Sequence, residues 1–509
     1  MPKKRFKLLL IRPKQYLKHY SVQSEMARLM GRRTANSVLA LPLLAALTPE
    51  HYEIKILDEE ISTSTGNFKP DIVGITLITS NAERGYELAE KYRKIGAKII
   101  LGGPYSSYNP GEGLQYADSI VSGEAEAVWK EVLNDFENNN LQKIYSAENK
   151  IDYSTSILPR WDLVKTNKIL SINVQASRGC PFQCEFCLTS EFFGKKMRKR
   201  NVSDVINEIK QLPLKNIFFA DDNLTLDKKY AGELFKELKP LNISWMCQSS
   251  VDVADDKEFL KEMSEAGCKF ILIGFESLNS KSLEETNKYQ NDKEMYLDII
   301  ERIHQAGIHV YGSFIIGFDN DTPEDLETFK HFVSKACIPV FMLSIMVTTH
   351  GTQLHERLER ENRHLKNLGK NYFIGSYPVF KYANFSSKEI YEQYNETIEE
   401  LYSFARVRKR TINLLKKGYF SKSKSDGSIT AFQKFRTTFT ILFSFAMSRE
   451  KEKQLFFRDI ISLIKSKKLA INEAASVLIM LEGISRHIKK EKKQRHLFYK
   501  ELERIENTN

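Results

Sequence analysis

Short β-rich runs alternate with helix-period stretches through the first 140 residues. Runs at 7–12, 53–58, 71–76, 98–102 and 119–122 are separated by amphipathic segments that include 81–94 and 124–136. Such alternation predicts a parallel sheet covered by helices on both faces, an α/β domain of the doubly wound kind. Gly102, Gly103 and Pro104 end one strand, and Ser122 and Gly123 end another. Ligands of doubly wound sheets bind beyond the carboxyl ends of the strands, so these two turns are where a cofactor is expected. As plain strand-to-helix turns they would need no ligand.

Residues 141–170 show little periodicity and read as a linker. A second alternating region fills 171–350, with strands near 172–176, 216–220, 243–248, 270–274, 309–316 and 340–347. One helix start is well marked: Thr322, Pro323, Glu324 and Asp325 supply a cap, a proline at the first helical position and an acid at the third. Six βα units of this kind predict a partial parallel barrel, with its chemistry at the carboxyl ends of the strands. After a connector at 351–385, residues 386–509 turn helical and basic and read as a third, α-helical domain.

Bulk properties narrow the setting. With 509 residues, 42% hydrophobic and 28% charged, the chain has the composition of a globular protein of two or three domains. Its formal charge of +11 suits a nucleic acid, an anionic lipid surface or an acidic substrate, without choosing among them. Arg12 and Pro13 cut the apolar run at 8–11 too short for a signal peptide, and the best candidate for a span, 435–447, is brief and carries Arg436. The expected location is the cytoplasm. Six cysteines in a chain of this length, three of them clustered, point to metal or redox chemistry in a reducing compartment.

The cluster is Cys180, Cys184 and Cys187, in the run Arg178-Gly179-Cys180-Pro181-Phe182-Gln183-Cys184-Glu185-Phe186-Cys187 that follows the first strand of the second region. A loop with this spacing can place three thiolates on three irons of a cubane. The usual protein supply is four cysteines, so one iron keeps a position that a chelating amino acid can occupy. A structural zinc site is the competing reading; it needs a fourth ligand nearby, and the nearest histidines, His51 and His304, are distant in sequence. Cys247, Cys268 and Cys337 lie in apolar patterns and are expected in the core.

These residues resemble the radical S-adenosylmethionine (SAM) superfamily, over roughly 170–350. The resemblance implies that Cys180, Cys184 and Cys187 ligate a catalytic [4Fe–4S] cluster and that Phe186 lies against the adenine. It also implies that Asp221 and Asp222 stand where the methionine amine is contacted, and that Glu276, Gly312 and Gly317 line the nucleoside pocket. Taken as residues alone, the aspartates suit a solvated turn, Glu276 an ion pair with a neighbouring base, and the glycines relief of crowding in a strand.

The leading domain resembles the cobalamin-binding domain of class B radical methylases. The likeness rests on the apolar stretch Ala40-Leu41-Pro42-Leu43-Leu44-Ala45-Ala46-Leu47 and on Gly102-Gly103-Pro104, which implies cobalamin near Gly102, Gly103, Ser122 and Gly123. The pattern Asp-x-His-x-x-Gly is absent, so the lower face of the cobalt is not expected to be held by histidine, and a domain that keeps this fold without the cofactor stays open. The run from Gly351 to Leu358 and the aromatic-rich region after Ser386 are similar to the tail of hopanoid C-methylases. The methylthiotransferases that modify RNA carry three more cysteines in the leading domain, whereas this chain has none before Cys180.

The resemblance therefore implies reductive cleavage of SAM and transfer of a methyl group to an unactivated carbon of a lipid or other small molecule. A flavodoxin or ferredoxin would supply the electrons, and no nucleic acid is expected. A radical cyclase or rearrangement enzyme of the same architecture is the alternative, and an iron–sulfur electron carrier the non-enzymatic one. The lysines at 416, 417, 422, 424, 489, 490, 492 and 493 would suit peripheral contact with an anionic membrane, or simply a solvated helix face.

Overall fold

The computed structural model describes residues 4–17, 22–147, 150–154, 157–419, 431–466, 469 and 471–506, with the side chains of 431–438, 471–472 and 506 left aside. Lys422 and Lys424 lie outside the described residues.

The chain opens with β1 (Phe6–Arg12) and the short β2 (Thr34–Asn36), followed by β3 (Tyr52–Asp58), β4 (Ile72–Thr76), β5 (Lys98–Gly102), β6 (Ser119–Ser122) and β7 (Ile144–Ser146). All but β2 form one parallel sheet in the order β3-β1-β4-β5-β6-β7. Successive side chains of a strand point to opposite faces, and here both faces are buried. Leu9, Ile11, Val73 and Ile75 pack under Tyr86, Ala89 and Tyr92 of the helix Ala82–Arg93. Leu8, Leu10, Ile72 and Ile100 face Leu41 and Ala45 of Ala40–Leu47 and Trp129, Val132 and Leu133 of Trp129–Glu137.

The second sheet is built from β8 (Ile169–Val174), β11 (Asn216–Phe219), β12 (Ser244–Ser249), β13 (Cys268–Glu276), β14 (His309–Ile316) and β15 (Phe341–Ile345). Between its first two strands lies a small antiparallel ribbon of β9 (Ser177–Arg178) and β10 (Arg198–Lys199). Six consecutive parallel strands bear out the expected partial barrel, and helices such as Pro323–Ala336 return the chain between them. Thr322 caps that helix, its backbone N–H donating to Asp325 Oδ2 at 2.9 Å. Cys247, Cys268 and Cys337 are buried free thiols, as expected of core residues.

The sheets divide the chain differently from the sequence pattern at two points. β2 joins the barrel sheet as a seventh strand, pairing Thr34 with Ile169 and Asn36 with Ser171. β7, inside the expected linker, closes the edge of the leading sheet. The carboxyl-terminal region is helical, running through Ser387–Leu401, Phe404–Lys416, Ala431–Ala446, Lys451–Lys465 and Ile471–Glu506. No helix among the described residues is long and apolar enough to cross a membrane.

Candidate active site at the joint of two sheets

The cysteine loop begins where β8 ends and is pinned at both ends. Arg178 and Ser177 of β9 pair with Arg198 and Lys199 of β10, so the loop leaves and returns through one two-stranded ribbon. Gly179 follows in the left-handed region at φ +95°. A Cβ there would lie 2.5 Å from the Lys196 carbonyl oxygen and 2.8 Å from that of Gly194, so only glycine fits. Next to it, the Cys180 N–H donates to Gly194 O at 3.2 Å and the Cys187 N–H to Cys184 O at 3.0 Å.

Two aspartates at the end of β11 hold this loop from below. Asp221 is fully buried and accepts the backbone N–H groups of Ala176 at 3.0 Å and Ser177 at 2.5 Å, and the Ser177 hydroxyl at 2.6 Å. Asp222 accepts the Gly179 N–H and the Thr189 hydroxyl, each at 3.1 Å. Neither forms a solvated turn, and both oxygens of each are engaged by the segment that carries the cysteines.

The thiols form one electrostatic group. Burial pushes the Cys180 thiol up to about 11, with Cys187 and Cys184 adding to the rise. Burial also raises Cys184, against the opposing pull of Lys288. Lys288 donates to Glu276 at 3.0 Å, and although burial works against its charge, Glu276 and then Cys184 keep its pKa above the ordinary lysine value. Glu276 sits at φ +63° beyond a β-bulge, a conformation unusual for a residue with a side chain, and this turns its carboxylate toward Lys288. Beside Cys184, the Gln290 amide reaches the thiol and also opposes its rise. Three thiols on one loop, a fixed cation and an amide beside Cys184 suit a sulfur-rich anionic cluster.

The other expected site residues spread around this loop. Phe186 is half-buried and meets Phe318 edge-on at 6.3 Å, next to Gly317. Gly317 has φ +95°, and a Cβ there would lie 2.7 Å from the Tyr382 ring. At Gly312 a Cβ would meet Phe314 at 2.7 Å, so close packing accounts for both glycines. Glu185 takes Arg357 in a two-pronged pair at 2.6 and 3.0 Å, which ties the cysteine loop to the helix Gln353–Arg360.

In the leading sheet, the turns after β5 and β6 face the barrel. Gly103 (φ +91°) leaves no room for a Cβ, which would fall 2.7 Å from Leu77 O, and Gly123 (φ +85°) donates its N–H to Ser107 Oγ at 2.9 Å. Residues following these turns make the joint. Tyr105 meets His350 at 5.5 Å, and His350, His355 and His364 follow one another at 4.2 and 4.6 Å between ring centroids. Burial pushes His355 down to about 4 and lowers His350 as well. Ser106 Oγ and His350 Nδ1 are buried here without partners, polar atoms left for a bound molecule to satisfy.

A buried ion network crosses the same joint. Glu124, directly after Gly123, accepts from Arg178 at 2.9 Å and from Arg198 at 2.9 and 3.0 Å, and Glu126 accepts from Arg178 at 2.7 Å. Burial opposes ionisation of Glu124, but Arg198 and Arg178 prevail and lower its pKa. The Arg178 guanidinium lies 4.6 Å from the Tyr153 ring centroid, a cation–π contact. The turn after β6 is thus locked to the residue two places before Cys180. Glu124, Arg198 and Lys288 carry no motif in the sequence; only the charge of Arg178 beside the cysteines hinted at a buried partner.

Comparison with known proteins agrees with this architecture. Residues 174–333 match the radical SAM superfamily, 38–133 the B12 binding domain, and 352–496 a domain of unknown function, DUF4070. The bacteriochlorophyllide d C-8(2)-methyltransferase of Chlorobaculum tepidum is 33% identical over 342 residues, which cover 62% of this chain and 75% of that one. The hopanoid C-2 methylase of Rhodopseudomonas palustris is 25% identical over 339 residues, 64% of each chain. Among solved structures, the cobalamin-dependent SAM radical enzyme OxsB with aqua-cobalamin bound shares the fold at a TM-score of 0.58 and 14% identity, over 96% of this chain and 80% of that one. With a B12 binding domain followed by a radical barrel, and a relative one-third identical over three quarters of its own length, the chain belongs to the cobalamin-dependent radical SAM methyltransferases.

Proposed function

We propose that the chain methylates an unactivated carbon of a lipid or other small molecule, with Cys180, Cys184 and Cys187 as the ligands of its cluster. The observation that carries this reading is the pinned loop: three free thiols on one short segment, held by Asp221 and Asp222 and joined through Arg178 to the turn after β6. When bound, the [4Fe–4S] cluster, SAM and cobalamin supply the electron, the radical and the methyl group. The protein's part is to position them and keep water out.

In this assignment the Gly102–Gly103 and Ser122–Gly123 turns bear the cobalamin, and Phe186, Gly312 and Gly317 line the nucleoside side of the barrel. Asp221 and Asp222 act by shaping the cysteine loop. Glu276 acts with Lys288, whose charge lies on the cluster side. The domains are assigned as a cobalamin-binding unit over 1–140, a barrel over 171–350 and a helical unit over 386–509, with 22–36 structurally part of the barrel. Relatives that act on a bacteriochlorophyllide and a hopanoid support a large, mostly apolar substrate. A flavodoxin or ferredoxin would deliver electrons, and the basic tail would contact an anionic membrane.

The test is anaerobic reconstitution with iron, sulfide and cobalamin, followed by metal analysis and turnover on apolar polycyclic substrates. About four irons per chain are expected in the wild type, falling to near zero in the Cys180, Cys184, Cys187 triple alanine variant with cobalt unchanged. Iron retained in that variant sinks the ligand assignment. Formation of 5′-deoxyadenosine with no methylated product would replace methylation by cyclisation or rearrangement.

A further inference from the structure

From residue 439 on, the helix Ala431–Ala446 is apolar on two opposite sides. Inward, Ile441 and Phe445 are 5% and 0% exposed, and Phe445 packs against Phe404 and Phe456 with ring centroids 5.8 and 6.2 Å away. Outward, Phe439, Phe443 and Met447 are 60%, 59% and 68% exposed. Their spacing of four residues sets them in one ridge along the helix, with the rings of Phe439 and Phe443 stacked. Other large apolar side chains exposed on the described surface are spread through the chain, whereas here three stand in line. An amphipathic surface helix puts polar groups outward; one that puts two phenylalanines and a methionine there has an apolar phase to meet.

Charge shows which phase. Between 401 and 472 the chain carries 17 lysines and arginines against 4 acids, leaving 59 basic and 61 acidic residues elsewhere, so the positive excess of the sequence falls in the stretch that contains this helix. Arg449 and Lys451 are exposed just beyond Met447. Aromatic and methionine side chains on one ridge, framed by a basic surface, match the interface of an anionic bilayer, where the ridge enters the acyl boundary and the cations meet the headgroups.

We infer that Phe439, Phe443 and Met447 form a membrane-inserting ridge that docks the helical domain on an anionic lipid surface. This deepens the peripheral contact proposed above by naming the element that makes it. It gives a membrane-dissolved substrate a short route to the chain that transforms it. A nucleic acid is the competing partner for a basic face, but its backbone would be met by polar and cationic groups, not by an apolar ridge.

The full-length reconstituted protein is sedimented with vesicles of phosphatidylcholine alone or with phosphatidylglycerol added, at low and high salt. Binding to the anionic vesicles that weakens about tenfold at high salt is expected. The F439S/F443S/M447S variant should lose about tenfold in affinity with unchanged iron, cobalt and melting temperature. The single variant Phe443→Trp should show a blue-shifted emission only with anionic vesicles. Equal binding by the triple variant and an unshifted tryptophan would overturn the ridge while leaving a purely electrostatic contact in place. No binding by the wild type would overturn both, and displacement of the protein from vesicles by an equimolar oligonucleotide that also shifts the tryptophan would reassign the face to nucleic acid. None of these outcomes bears on methyl transfer, which is judged by its product.

Discussion

At the joint between the two sheets, charge is turned inward and fully matched; in the carboxyl-terminal helices it is turned outward and left in excess. Arg178, Arg198, Glu124 and Glu126 lie in or near the interior, each carboxylate meeting a guanidinium within 3 Å. The segment 401–472, by contrast, holds 17 basic and 4 acidic residues and displays many of them on its surface. The same side-chain types therefore serve two purposes. Buried, they set the orientation of one domain against another, because a misaligned pair would leave an unpaired charge in a medium that solvates it badly. Exposed, they contribute little to stability and leave a field that selects what approaches.

Removing one inward partner should break this contrast most strongly. Glu124→Ala takes the carboxylate partner from Arg198 and leaves Arg178 with Glu126 alone, and a loss of about 3–5 kcal/mol is expected in urea unfolding followed at the joint, with release of cobalamin. Glu124→Gln, which keeps the shape, should also be impaired, and a wild-type stability in both would show the network to be ornamental to the joint. Lys288→Met tests a buried cation beside the cluster rather than between domains. Because a fixed positive charge favours the more reduced, more negative cluster, its removal should lower the midpoint potential by about 50 mV in an EPR-monitored titration. An unchanged or higher midpoint would place Lys288 outside the cluster's field. The smallest effect belongs to the outward set: Arg449→Gln with Lys451→Gln should change stability by less than about 0.5 kcal/mol, and a larger loss would mean these charges are structural after all.

Much of this architecture was legible in the sequence, because long periodic segments and a spaced cysteine motif carry their own signal. The strand read at 309–316 is β14, and the turn glycines at 102, 103 and 123 end strands as expected. β2 and β7 were not legible: each is three residues long, too short to show alternation, and each is an edge strand whose place is set by its neighbour. The partners of the cysteine loop were hidden for a different reason. Glu124 and Arg178 are 54 residues apart and meet only when two sheets dock, while Lys288 follows a short helix and looks like any exposed lysine until Glu276 is seen beside it. Asp221 and Asp222 were singled out by resemblance, yet their hydrogen bonds go to the backbone and side chains of the cysteine segment, a geometry that no linear spacing encodes.

The edge position of β2 bears on how far the molecule can be treated as modular. The helix Val22–Leu29 and β2 leave the leading domain, extend the barrel sheet at its β8 edge and meet the last helix, where Lys490 pairs with Glu25 at 2.7 Å. One early segment thus stitches the first, second and third parts of the chain together. Exchanging the leading domain at the apparent boundary near 140 would strip the barrel of its seventh strand and the final helix of one of its partners. A viable chimera has to keep 22–36 with the barrel it borders, and any shuffling of such domains in evolution had to respect that seam.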